Sequence, residues 1–396
     1  LFFLAQIIFT FAAAHARDLH VDPAKGDDTS DGVAQPVKSI KQAIRLALPG
    51  DTIHLEKTTY YESAEFGKKS GEPGKPIVLE GHGAVLEGSE RVTGKDWEHV
   101  SAGLYRKVHL LPKIEPFVLQ RWFMVWGDKL VHMDRTSKGR LAPFKQPADL
   151  QIDEWTYVAD EEAFYIRIAR ESDLDTMRIR YPARSSGVAI GGAAHLVVRD
   201  LTCTHVSNDG FNVHGSARDC RFENIQAIGC GDDGFSAHED AECEIDGFRS
   251  IGNSTGFTDI NSSKTHYQRV YVGGCLAFDF LFQGDGEHSV RDAVIQSFAQ
   301  TPFGVGSPDP SATRSCQVQL EDLYFVQTGK AYQVRLPVRT SVAITRSSFL
   351  NFPPFESKGE LTLKDCVVSL EYDMGYNSLT VGADMARLMK LGLFSH

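Results

Sequence analysis

The sequence predicts an all-β chain wound as a right-handed parallel β-helix, entered through an N-terminal capping helix and interrupted by an inserted β-rich lobe. Three observations predict it. From Leu196 onward the chain divides into similar pieces, in which Phe211, Phe235, Phe257 and Phe280 recur 24, 22 and 23 residues apart. Each piece holds two or three short β-type runs separated by Gly, Asn, Asp or Ser. Before the repeats, a short amphipathic segment is closed by Pro49-Gly50. A strand of four or five residues buries no face on its own, so each coil must stack on the next and pair its strands with the neighbours above and below.

The elements follow in chain order. Residues 1–16, LFFLAQIIFTFAAAHA, are an apolar run ending in Ala14-His15-Ala16, the pattern of part of a secretory signal peptide. A mature chain starting near Arg17 and exported is the expectation. Residues 17–87 form the cap and first coils. Ser39 with Gln42 reads as a capping box opening SIKQAIRLAL, and DTIHL as the first strand. Such a helix plugs the open end of a solenoid, whose edge is otherwise unpaired. Between residues 88 and 187 the coil period is lost. This stretch carries all four tryptophans (Trp97, Trp122, Trp126, Trp155) and strand-like pieces such as EAFYIRIA, so it reads as the inserted lobe. Its tryptophans are either sugar-stacking groups or the core of a small β-subdomain. Residues 188–385 are the main coils, continuing through SVRDAVIQSF, CQVQLEDLYFV, SVAITRSSFL and LTLKDCVVSL. Residues 386–396 are a tail or second cap.

Composition narrows the function. Lys plus Arg is 41 and Asp plus Glu 52, a net charge of -11, which argues against a nucleic-acid binder. No apolar run beyond the leader is long enough to span a membrane, and the mature chain is expected to be a soluble monomer. Seven cysteines leave at least one unpaired, and Cys220 and Cys243, 23 residues apart, read as stacked buried thiols.

One corner of the coils carries candidate chemistry. Asn208-Asp209-Gly210-Phe211, Asp232-Asp233-Gly234-Phe235 and Thr255-Gly256-Phe257 fall in register. The phenylalanines point inward as a ladder, which brings Asp209, Asp232 and Asp233 together. Three carboxylates at that spacing repel unless a cation neutralises them, and an all-oxygen set suits Ca²⁺. The alternative is that Asp, Asn and Gly are simply what turns prefer. Alternation places Asn212, Ser236 and Thr258 in one outward stack and His214 and His238 in the next. Those histidines are either a solvated polar stack or groups that bind sugar or move a proton. Lys264, His266 and Arg269 are expected to add positive charge to the same groove.

This corner, with the entry segment HVDPAKGDDTSDGVAQPVKSIKQAIRLALPGDTIHL, resembles the secreted β-helix polysaccharide lyases, specifically the family 9 pectate lyases. The resemblance covers the cap and about three coils. It implies a Ca²⁺ site at Asp209, Asp232 and Asp233 and a lysine base acting on an acidic, uronate-containing polysaccharide. Ser236 stands where the family has a fourth aspartate, and Thr258 stands at the lysine position. The base is then expected to be Lys264 or His238, with His214, Asn212, Ser236 and Arg269 as substrate contacts. Two other readings stay open: an inverting glycoside hydrolase on the same fold, for which no downstream Gly-His-Gly or Arg-x-Lys is found, and a non-catalytic polysaccharide-binding β-helix.

Overall fold

The computed structural model describes residues 16–170, 172–306 and 314–369. The leader run, apart from Ala16, and the tail at 386–396 lie outside them. Coils pair through two long parallel sheets, with a further short parallel pair between Val334–Leu336 and Phe355–Ser357. The longer one runs through Asp18–Val21, Thr52–Leu55, Ile77–Glu87, Ala194–Thr204, Arg218–Ile228, Glu242–Ile251, Lys264–Gly273, Glu287–Ser297, Cys316–Gln327, Thr340–Thr345 and Glu360–Lys364. The shorter one runs through Ala64–Gly67, Val188–Gly191, Phe211–His214, Asp233–Ala237, Thr255–Asn261, Phe278–Gly284 and Thr301–Gly306. This is the parallel β-helix that the Phe spacing predicts.

The long strands turn a corner midway. Asp200, Asn224, Gly247, Arg269, Asp292 and Asp322 stand one per coil with φ between 52° and 82°. Single left-handed residues bend a strand without ending its ladder, and Asp, Asn and Gly tolerate that conformation best.

The core is the aromatic ladder. Phe211, Phe235, Phe257, Phe280 and Phe303 pair in register and are fully buried. Phe257 stacks on Phe280 with centroids 5.4 Å apart, and Phe280 on Phe303 at 4.9 Å. Each such ring contributes about 1.5–3 kcal/mol by leaving water. Cys220 and Cys243 are register partners, and all seven cysteines are free thiols.

The entry differs in two details. Asp18–Val21 is a strand ahead of DTIHL, paired with Thr52–Leu55. The helix is Ile40–Leu46, and its capping box is half made. Gln42 N–H donates to Ser39 Oγ at 3.2 Å, but Gln42 Oε1 accepts from Arg45 and Ser39 N–H donates to Asp28. Ile40, Ala43 and Ile44 seal the first coil.

The lobe consists of two four-stranded antiparallel sheets lying between Glu87 and Val188. Trp97, Trp122, Trp126 and Trp155 are buried in its core, so they serve packing and not an exposed sugar platform. Buried Glu87 fastens its entry, accepting from Ser89 N–H at 2.8 Å, from Arg180 at 3.0 Å and contacting His205 Nδ1 at 3.0 Å. Among the described residues no helix is long and apolar enough to cross a membrane.

Candidate functional site

The glycine in each corner motif is there for space. A Cβ on Gly210 would stand 2.7 Å from Gly234 O, and one on Gly234 would stand 2.5 Å from Gly256 O. Backbones therefore meet at this corner, and the aspartates beside the glycines are carried to the outer side of the shorter sheet. Asp209, Asp232 and Asp233 each offer an oxygen within 4.8 Å of the others, and all three are buried. The sequence-predicted convergence is present.

What neutralises them comes from the lobe. Lys138 Nζ donates to Asp232 Oδ1 and, at 2.7 Å, to Asp233 Oδ1. Arg121 donates to Asp232 Oδ2 and Asn208 Oδ1, and its Nε reaches Ser207 O at 3.1 Å. Beside Lys138, Ser137 N–H donates to Ser254 Oγ at 3.2 Å, with the two hydroxyls 2.9 Å apart. The lobe is thus clamped over the corner.

Asp209 is held by donors. Its Oδ1 accepts from Asp233 N–H at 3.0 Å; its Oδ2 accepts from Asn208 Nδ2 at 3.1 Å, Asn212 Nδ2 at 2.8 Å and Ser236 Oγ at 2.7 Å. Asp233 Oδ1 also accepts from Thr258 Oγ1 at 2.9 Å. Among the described residues no donor reaches Asp233 Oδ2.

The charge states divide accordingly. Burial pushes the Asp232 carboxyl up, but Lys138 and Arg121 outweigh it and hold it down at about 2. Burial and the neighbouring Asp232 charge push Asp209 up to about 6. The same two causes drive Asp233 far above the carboxylate range. Burial pulls the Lys138 ammonium down, yet Asp233 and Asp232 keep it above the usual lysine range.

A divalent ion needs oxygens with free lone pairs. In this arrangement the facing oxygens of Asp232 and Asp233 bracket an ammonium, and those of Asp209 already accept four N–H and O–H donors. With the lobe docked, Lys138 fills the place between Asp232 and Asp233, and the triad in this arrangement does not fit Ca²⁺; the oxygens left without a donor are Asp233 Oδ2 and Asn212 Oδ1.

The other predicted residues separate. His238 follows the strand Asp233–Ala237 and stacks on His214, centroids 4.1 Å apart; His214 Nδ1 lies 3.2 Å from Glu239. Burial, then His214, hold His238 down at about 4, so it is neutral at physiological pH. Asn212 and Ser236 are buried beneath Asp209 as its donors, and Asn212 keeps its own Oδ1 without a partner among the described residues. Lys264 and Arg269 do not reach this corner. The chain turns at Asn261, whose φ is 62°, and both belong to Lys264–Gly273 in the longer sheet. There Lys264 Nζ lies 3.8 Å from Glu242, and Arg269 Nε donates to Asp246 at 2.6 Å. Sequence reasoning missed Arg121 and Lys138. The available signal was the uncompensated acidic corner itself, which demands a cation from somewhere in the chain.

Comparison with known proteins bears out the resemblance read from the corner motifs. The chain is 34% identical over 84 residues to pectate lyase PEL9 of Emericella nidulans, a stretch covering 20% of each chain. It thus matches a fifth of that relative's length. Among solved structures, one described as a glycoside hydrolase aligns with a TM-score of 0.58 at 11% identity, covering 94% of this chain and 98% of that one. XylC in complex with xylose aligns at 0.50 and 11% identity, covering 88% and 86%. At such identity these likenesses show the fold. No protein-family model matches the chain.

Proposed function

We propose that this chain is an exported enzyme that cleaves an acidic polysaccharide, with Asp233 giving a proton to the leaving glycosidic oxygen. One observation carries the reading. Three buried carboxyls face two cations, buried Arg121 and half-buried Lys138, and the proton that balances them belongs on Asp233, the carboxyl with an oxygen that no donor holds. Neighbouring carboxyls whose proton affinities are driven apart are the pattern of acid catalysis near neutral pH. Protonating the leaving oxygen relieves the negative charge that builds there as the bond breaks. Asp232 stays ionised between Lys138 and Arg121 and keeps the proton on its neighbour. Neutral His238, directly after the strand that carries Asp233, accepts a proton from water in this reading, and the His214–His238 stack offers a flat face to a sugar ring. Hydrolysis needs no metal in this scheme, and Thr258 supports it by donating to Asp233 instead of acting as a base.

The test is a panel of acidic polysaccharides assayed for new reducing ends and for ultraviolet-absorbing unsaturated ends. Asp233→Asn is expected to lower turnover about 10²- to 10⁴-fold with the fold intact. Undiminished cleavage by that variant sinks the assignment.

The pectate-lyase match favours a second reading, calcium-assisted β-elimination on a uronate polymer at the same triad. It requires Lys138 to withdraw. Unsaturated products that disappear on chelation would select it.

A further inference from the structure

We infer that Lys138 is the resident cation of the acidic corner: its ammonium stands in the place a divalent ion would take between Asp232 and Asp233, so the lobe makes the site metal-free. The inference deepens the reading above, but its own measurement needs no turnover.

Three observations carry it. First, the ammonium bridges the two carboxylates through one oxygen of each, the bridging position for an ion shared by neighbouring residues. Second, its placement is built. Ser137, one residue earlier, is tied to Ser254 on the coil that follows the aspartate pair. One residue later, Gly139 passes so close to Ala277 that an added Cβ would come within 3.2 Å of the alanine methyl. A lysine between two such anchors is fixed in position. Third, Arg121 holds the remaining oxygen of Asp232, so an entering divalent ion meets two positive charges and, among the oxygens of the three carboxyls, only Asp233 Oδ2 without a donor. Like charges at that range in a buried site repel strongly. Evicting Lys138 would also strip its partners of their counter-charge, a costly step for a buried pair.

The consequence is specific. Removing the ammonium while keeping the carboxylates should create a cation site that the wild type lacks. The full chain, freed of metal by chelation, is titrated with calcium in a calorimeter and with terbium by luminescence, as wild type, Lys138→Met and Lys138→Arg. Wild type and Lys138→Arg are expected to show no saturable uptake, and their melting curves should not move with calcium or chelator. Lys138→Met is expected to take up one ion at least about tenfold more tightly than wild type, with a melting temperature that rises in calcium. Saturable calcium uptake by wild type overturns the inference, as does a folded Lys138→Met variant with no uptake. Should Lys138→Met fail to fold, the wild type decides: calcium-indifferent melting supports the inference and a calcium-dependent rise defeats it. Loss of polysaccharide cleavage in any arm bears only on the proposed reaction.

Discussion

Asp232 and Asp279 are both shut away from water, yet they settle in opposite charge states. At the corner, Asp232 has Lys138 and Arg121 against its two oxygens and is held down at about 2. Between the coils, Asp279 is fully buried with no well-formed hydrogen bond on either oxygen among the described residues, and burial, opposed only by the nearby Ser297 hydroxyl, pushes it up to about 8. Asp259 stands between the two. It is equally buried but accepts from Thr265 Oγ1 at 2.7 Å, Tyr267 Oη at 3.0 Å and Ala237 N–H at 3.1 Å, and burial leaves it at about 7. Neutral donors soften the effect of burial; cations reverse it. Burial alone therefore does not tell which carboxyls do ionic work, and the lobe is what makes the corner ionic.

That contrast can be broken in graded steps. The largest effect on stability is expected from Asp232→Ala, which leaves buried Arg121 without a carboxylate and Lys138 with Asp233 alone. Denaturant unfolding should show a loss of about 3–5 kcal/mol. A loss below about 1 kcal/mol would mean that the lobe cations are solvated elsewhere.

Next comes the pH response of the neutral acids. Asp279 binds its proton in the fold up to about pH 8, whereas in the unfolded chain it releases it near the ordinary value of 3.8. The folded state thus holds the extra proton, so its stability falls as pH climbs from about 4 and levels off above about 8. Asp259 adds a parallel loss that ends near pH 7. Asp279→Asn removes the ionisation and keeps an acceptor oxygen for the nearby Ser297 hydroxyl. It should raise alkaline stability by on the order of a few kcal/mol while leaving acid stability nearly unchanged. Midpoints measured at pH 5 and pH 9 check this, and an unchanged difference between them would mean that Asp279 is ionised in the fold. Asp232 has the opposite sign. Its contribution is present above the ordinary carboxylate value and is lost as pH falls through about 2.

The smallest effect is expected at the surface. Arg218 reaches Asp240 at 2.8 Å, but both are well exposed. Arg218→Ala should change stability by less than about 1 kcal/mol, and less still in high salt.

The coils were legible because parallel stacking forces repetition: Phe211, Phe235, Phe257 and Phe280 must recur at the coil length to meet in the core. The triad was legible for the same reason, since the repeat carries its flanking aspartates into one corner. Lys138 and Arg121 were not, because they lie in a lobe without a period, about a hundred residues before their partners. Their contacts depend on how two bodies dock. Lys264 was misplaced because nearness along the chain hides a corner. Three residues after Asn261 the backbone already belongs to the other sheet. Asn212 and Ser236 were assigned the correct stack but the wrong task, because the pattern gives direction and not what sits on top.

The seven unlinked thiols have a consequence for how the chain matures. Cys220 and Cys243 lie on adjoining rungs as ordinary packing groups, and no crosslink joins any pair. The solenoid is closed by stacking alone. It can therefore reach its native form without an oxidant or a disulfide-shuffling helper, and added reductant should leave it intact.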